Sequence, residues 1–160
     1  MSVERKIRVL FVCMGNICRS PMAEAVFRHQ VAAAGLSDRF EIDSAGTGAW
    51  HAGELPHHGT RAVLMRNSVD VGPQRARQVL PTDFDDFDYI LAMDNENMAD
   101  LRQFHPEPQR RTKLFLDFAP EAPVREVPDP YYTGGFDEVF RLVSMASNGL
   151  LAHIREREGL

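Results

Sequence analysis

The chain has 160 residues, 44% of them hydrophobic and 26% charged, with a formal charge of −5 and a pI near 5.6. This length suits one domain over 1–160 that buries roughly 68–70% of its unfolded surface, and the apolar content excludes disordered and fibrous classes. The net negative charge gives no field to attract nucleic acid, and the apolar run Val9–Met14 is far short of the roughly 20 residues of a membrane span, so a soluble, cytoplasmic protein with neither partner is expected.

Along the chain, Lys6–Val12 is a β-branched and aromatic run suited to a buried parallel strand. Ser20 and Pro21 then fit the N-cap and first position of a helix that runs to about Ala34 and stops at Gly35. Phe40–Asp43 is a short strand, and Ser44–Gly48 reads as a flexible loop. Pro56–Asn67 is the next helix. Phe87–Met93 is a third strand, with Asp94 capping a helix to about Phe104, and Thr112–Leu116 is a fourth. Four prolines between Ala119 and Pro130 predict an irregular, stiff loop. Phe136, Val139, Phe140, Val143, Leu150 and Ile154 mark a long amphipathic closing helix. Strands alternating with helices imply an α/β domain with a parallel sheet, and no repeat or linker divides it.

Chemistry concentrates in Cys13-Met14-Gly15-Asn16-Ile17-Cys18-Arg19-Ser20, between the first strand and the first helix. Ligands of open parallel sheets sit beyond the carboxyl ends of the strands, and successive N–H groups at a helix start cradle an anion. The glycine spacing and Lys of a Walker loop are absent; a Cys and an Arg six positions apart stand instead. Sixteen of the eighteen basic residues are Arg, and although most solubilise the surface, Arg19 can grip two phosphate oxygens at once. The same positive field lowers the pKa of a thiol pointed into it, from near 8.5 to ~3.5–7.5, which makes Cys13 a candidate thiolate nucleophile toward phosphorus. Ser20 can donate to that thiolate. A lone Cys after an apolar strand is ordinarily an inert core residue, but that explanation leaves the Gly, Arg, Ser and Pro at matching positions unaccounted for.

The segment Val12–Pro21 resembles the signature of the low-molecular-weight protein tyrosine phosphatases, and Asp129-Pro130-Tyr131-Tyr132 resembles that family's general-acid loop. Asp43–Thr47, Ala76-Arg77-Gln78 and Met93-Asp94 fit its pattern in the same order, so the similarity covers nearly the whole chain. The resemblance implies a four-stranded parallel sheet in the flavodoxin-like order 2-1-3-4, flanked by helices. It implies Cys13 as nucleophile, Arg19 as the group binding phosphate and transition state, and Asp129 as acid and then base. Met14, Gly15, Asn16, Ile17, Cys18 and Ser20 would form the phosphate loop, with Asn16 holding its strained shape, and Trp50, Tyr131 and Tyr132 would line the pocket mouth. Many members carry a His before the Ala-Arg-Gln segment; this chain has Gln74, which can also hydrogen-bond.

The implied substrate is a tyrosine-phosphorylated protein, with phosphate and other oxyanions as ligands, no cofactor and no metal, and a monomer is expected over a dimer. Arsenate reductases share the fold and loop but relay a disulfide through later cysteines, and none follows Cys18. A branch acting on phosphoarginine typically has Thr where this chain has the apolar Ile17. A catalytically silent phosphotyrosine-binding module would not need both Cys13 and Asp129. Two cysteines cannot form a disulfide scaffold, but Cys13 and Cys18 share one tight loop, and a reversible disulfide between them under peroxide is expected. The Asp83, Asp85, Asp86, Asp88 run lacks the Gly and Glu of a calcium loop and fits a short helix start. His57 and His58 should point to different helix faces, against a shared metal.

Overall fold

The computed structural model describes residues 5–107 and 111–160; of the domain expected over 1–160, residues 1–4 and 108–110 lie outside the described ones. Strand β1 (Ile7–Cys13) is flanked by β2 (Phe40–Gly46) and β3 (Tyr89–Ala92), with β4 (Thr112–Leu114) outermost. The order is β2-β1-β3-β4, every pairing parallel, with Phe11 opposite Ser44 on one side and Leu91 on the other. The apolar runs predict the parallel strands, and their order is the one the family resemblance implies.

Being central, β1 is covered on both faces, which is why its sequence is apolar throughout rather than alternating. Ile7, Val9, Phe11 and Cys13 point into the larger core, toward helices α1 (Arg19–Ala33) and α6 (Phe136–Glu158). Phe11 there meets Phe27 and Phe115 edge-on, with ring centroids 5.6 and 5.1 Å apart. Leu10 and Val12 face the smaller core with Ala45, Val79, Phe84, Phe87, Ile90 and Leu101. The remaining helices are α2 (His58–Arg66), α3 (Asp83–Asp86), α4 (Asn95–Asp100) and α5 (Pro130–Thr133). Chain order reverses at β1, since β2 lies to one side and β3 to the other, and that switch opens a crevice at the carboxyl end of β1.

Several boundaries differ from expectation for identifiable reasons. Helix α1 begins at Arg19, with Cys18 in the cap position and no side-chain cap bond, so Ser20 is not the N-cap; its hydroxyl is engaged elsewhere. Ser44–Gly46 is strand rather than flexible loop. Gly46 permits this, because a Cβ there would lie 2.8 Å from the Met14 carbonyl oxygen. The fourth strand ends at Leu114 and tightens into a 3₁₀ turn, Phe115–Phe118, while the helix capped by Asp94 ends at Asp100 and continues as the 3₁₀ turn Leu101–Gln103. The acidic run does form a short helix, α3. In α6 the gap in the apolar pattern is filled by buried Ala146 and Ser147. Among the described residues, no helix is long and apolar enough to cross a membrane.

Gly149, inside α6, lets the Phe115–Phe118 turn press against the helix: an added Cβ would sit 1.8 Å from the Phe118 carbonyl oxygen. Gly149→Ala should therefore destabilise the fold by about 1–3 kcal/mol despite alanine's higher helix propensity. Equilibrium urea unfolding would show a lower midpoint with an unchanged slope.

Candidate active site

The turn from β1 into α1 wraps tightly around the Cys13 sulfur. The Asn16 N–H donates to Sγ at 3.3 Å, and Ser20 Oγ lies 3.0 Å from it. Asn16 Nδ2 already donates to Ser20 Oγ at 2.8 Å, so the one hydroxyl proton of Ser20 is free to point at sulfur. The loop is clamped from outside by Thr47 N–H to Cys13 O (2.9 Å), Gly48 N–H to Met14 O (2.9 Å), His57 N–H to Ile17 O (2.7 Å) and Thr60 Oγ1 to Cys18 O (3.0 Å).

Asn16 takes a left-handed backbone, φ 57°, a conformation Asn tolerates better than most residues. Its fully buried amide holds it there. Oδ1 accepts from Gln74 Nε2 (3.1 Å) and from the Arg77 backbone N–H (3.0 Å), while Nδ2 donates to Ser20 and to Ser44 Oγ (3.0 Å). Ser44 also accepts from Gln74 (3.2 Å) and donates to Glu24 Oε1 (2.6 Å). Burial pushes the Glu24 carboxyl above its usual range, although Ser44 and the Arg28 ion pair oppose the shift. The Arg77 side chain bridges Asp43 and Asp83, fixing the segment whose backbone reaches Asn16.

Arg19 is buried beneath the loop mouth. Its Nη1 donates to Asp94 Oδ2 (2.6 Å) and to the Val127 carbonyl (3.0 Å), and Nη2 lies 3.6 Å from Asp129 Oδ2. Asp94 is itself fixed, since its other oxygen caps α4 through Asn97 N–H. Burial alone would lower the guanidinium, but the Cys13, Asp94 and Asp129 charges outweigh it and hold Arg19 above its ordinary value. Asp129 caps α5 by accepting from Tyr131 N–H (3.0 Å).

These groups border one cavity of about 300 Å³. Cys13, Met14, Gly15, Ile17, Cys18 and Arg19 form its floor, with Asp129, Tyr131, Tyr132, Trp50 and His51 around it. Asn16 and Ser20 support the floor from below. Trp50 and Tyr132 are about three-quarters exposed, so their rings stand as rim rather than core. Gly48 gives the Trp50 ring its place, because a Cβ there would overlap it at 1.7 Å. Cys18 packs with Ile17, Ala76 and Phe136, and its thiol is pushed up to about 12, by burial first and then by the Cys13 and Asp129 charges. Among the described residues no group of His, Cys, Asp and Glu could hold a metal ion.

Sequence reasoning gave no role to His51, Ser44, Glu24 or the Val127 carbonyl, and to Asp94 only its helix cap, which the structure shows, without the bond to Arg19. Asp43-Ser44 and Met93-Asp94 stand out in the family pattern, which is the signal that locates two of them. His51 carries no local signal, since its place depends on the path of the whole 47–57 segment. His57 and His58 do not diverge: their rings stack with centroids 4.2 Å apart.

Residues 8–159 match the family described as low molecular weight phosphotyrosine protein phosphatase. The low molecular weight protein-tyrosine-phosphatase YfkJ of Bacillus subtilis is 48% identical over 155 residues, covering 96% of this chain and 99% of that protein. Its crystal structure superposes with a TM-score of 0.93 at 46% identity, over 98% and 99% of the two chains. A low molecular weight phosphotyrosine protein phosphatase of Schizosaccharomyces pombe is 46% identical over 91% of this chain and 96% of its own. A Drosophila arginine phosphatase superposes with a TM-score of 0.85 at 33% identity, over 93% and 98%. The fold is thus shared with phosphatases over nearly the whole chain. The chain belongs to the low molecular weight phosphotyrosine protein phosphatase family.

Gln74 takes up the support of Asn16, although its own Oε1 is buried without a partner among the described residues. Gln74→Ala should cost about 1–3 kcal/mol and weaken inorganic phosphate binding, because Asn16 and Ser44 each lose a donor. Gln74→His, which keeps one ring N–H donor for Asn16, should lose less of both properties than Gln74→Ala in thermal unfolding and phosphate titration.

Proposed function

We propose that the chain hydrolyses phosphotyrosine in proteins, and small aryl phosphates, through a phosphocysteine intermediate. The observation that carries this reading is that Cys13 Sγ, the Arg19 guanidinium and the Asp129 carboxyl border a single cavity whose rim is aromatic. Loop N–H groups and Arg19 hold the phosphoryl oxygens, and the field is strongest where charge accumulates in the transition state. The Cys13 thiolate attacks phosphorus; the P–S bond forms as the bond to the aryl oxygen breaks, and Asp129 gives its proton to the leaving phenolate. Asp129, now a carboxylate, takes a proton from water, whose oxygen attacks phosphorus and releases inorganic phosphate and the thiolate. Ser20 stabilises the thiolate in both steps through the hydrogen bond already aligned on it.

The wall favours an aryl group. Ile17 offers no acceptor to a guanidinium, and Trp50, Tyr131 and Tyr132 present ring faces to a phenyl ring. The likeness to an arginine phosphatase makes phosphoarginine the comparison substrate. Turnover of phenyl phosphate should exceed that of phosphoarginine. It should vanish in Cys13→Ser, which still binds phosphate, and fall ~10²–10⁴-fold in Asp129→Asn. Residual aryl phosphatase activity in Cys13→Ser, or an Asp129→Asn defect that ignores leaving-group basicity in single turnovers, overturns the mechanism. The two free, buried thiols suit a reducing compartment, so the proposal extends to a monomeric enzyme of the cytoplasm.

The same reading gives Cys18 a protective role. Peroxide converts the Cys13 thiolate to a sulfenic acid; the Cys18 thiol then displaces it, forming the Cys13–Cys18 disulfide and water. Burial first, and then the Cys13 and Asp129 charges, hold the Cys18 thiol up to about 12 and so protonated at rest. After mild peroxide, dithiothreitol should restore wild-type activity and fail to restore Cys18→Ser; equal recovery in the two leaves Cys18 a packing residue.

A further inference from the structure

His57 stands where three parts of the site meet. Its backbone N–H donates to the Ile17 carbonyl of the phosphate loop at 2.7 Å, and its ring nitrogen Nδ1 accepts the Gly59 N–H at 3.0 Å, capping α2. The ring lies parallel to Phe136, at the start of α6, with centroids 5.1 Å apart and planes 18° apart. It meets the Tyr131 ring of the acid loop edge-on at 5.8 Å. Gly59 is needed for this packing, since a Cβ there would lie 2.5 Å from the Phe136 ring.

The cap fixes the tautomer. An acceptor at Nδ1 has no proton there, so the imidazole must be neutral, and a proton at Nδ1 would both break the cap and put a cation against the positive end of α2. We propose that His57 is a positioning residue: its neutral ring holds Tyr131, and with it the aromatic wall of the pocket, in register with the phosphate loop, and its protonation releases that wall. The proposal rests on the aryl phosphatase reading above.

The surroundings of the ring oppose protonation. Its pKa is lowered from 6.5, by burial first and then by His58, Arg61 and His51. On the sides formed by α5 and α6 it meets the neutral Tyr131 and Phe136, and the adjacent Asp137 is engaged by Arg66 at 2.7 Å. The sign follows from the direction of the shift. The unfolded chain takes up this proton at higher pH than the folded one, so the clamp contributes fully above the ordinary histidine range, and its contribution falls as pH drops below 6.5 toward the folded value.

The test follows the His57 and Tyr131 ring resonances by NMR between about pH 5 and 8, in wild type, His57→Asn and His58→Gln, alongside KM for phenyl phosphate and Ki for inorganic phosphate. Asn keeps a cap acceptor but neither titrates nor stacks. Tyr131 should shift with the His57 midpoint in wild type and show no such inflection in His57→Asn. KM in wild type should be roughly threefold or more below that of His57→Asn at neutral pH and converge on it at the acid end, while the two Ki values run parallel. In His58→Gln, removal of the adjacent ring should raise the His57 midpoint and carry the Tyr131 midpoint with it. A Tyr131 ring blind to the His57 titration, or KM profiles that stay parallel, overturns the proposal. Absence of any aryl phosphatase activity would instead overturn the mechanism, since the ring titrations need no turnover.

Discussion

The site depends on one residue held in an uncommon conformation. Asn16, at φ 57°, turns the chain so that its own N–H and the Ser20 hydroxyl converge on the Cys13 sulfur. A left-handed non-glycine residue costs free energy, and it persists only where its surroundings over-determine it. Here Gln74, Arg77, Ser20 and Ser44 each bond the Asn16 amide, and two of them are supported from elsewhere in the fold, Ser44 by Glu24 and Arg77 by two aspartates. The strain in the loop is thus offset by interactions that reach across β2 and the segment before α3. Shape at the sulfur is a property of the whole sheet edge rather than of the eight-residue motif.

Around this fixed floor the charges are arranged asymmetrically. Arg19 is buried and its Nη1 is bonded to Asp94 and Val127, which fixes its direction, whereas Asp129 stands at a partly exposed rim. A pre-aimed cation needs little reorganisation when charge develops on phosphorus. A rim carboxyl can exchange protons with water and leaving group.

The strands and the first turn were legible because their signals are local, the apolar run of β1 and the Cys, Gly and Arg that follow it lying in short windows, whereas Asp129 stood out only through the family resemblance. As an N-cap, Ser20 was misread for the same reason. A Ser-Pro pair fits a cap statistically, yet the partners that decide its role are the Cys13 sulfur and an Asn16 amide that also bonds Ser44 and Gln74, 28 and 58 residues away. Gly46 and Gly48 looked like flexibility and instead permit close approach, by a carbonyl in one case and by the Trp50 ring in the other. The pairing of His57 with Tyr131 and Phe136 joins segments some 75 residues apart, beyond any periodicity argument.

Val127 ties two further parts of the molecule together. Its carbonyl accepts from Arg19 while its N–H donates to the Met93 carbonyl at the end of β3, and Met93 N–H in turn donates to Val12 on β1. The loop that carries Asp129 is therefore stitched to the sheet two residues before that carboxyl. A lid that swung open to admit substrate would have to tear this seam and unseat the guanidinium with it. Rotation of the exposed Trp50, Tyr131 and Tyr132 rings requires no such rupture and belongs to the picosecond-to-nanosecond range of exposed side chains, so the entrance can change shape without breaking the seam.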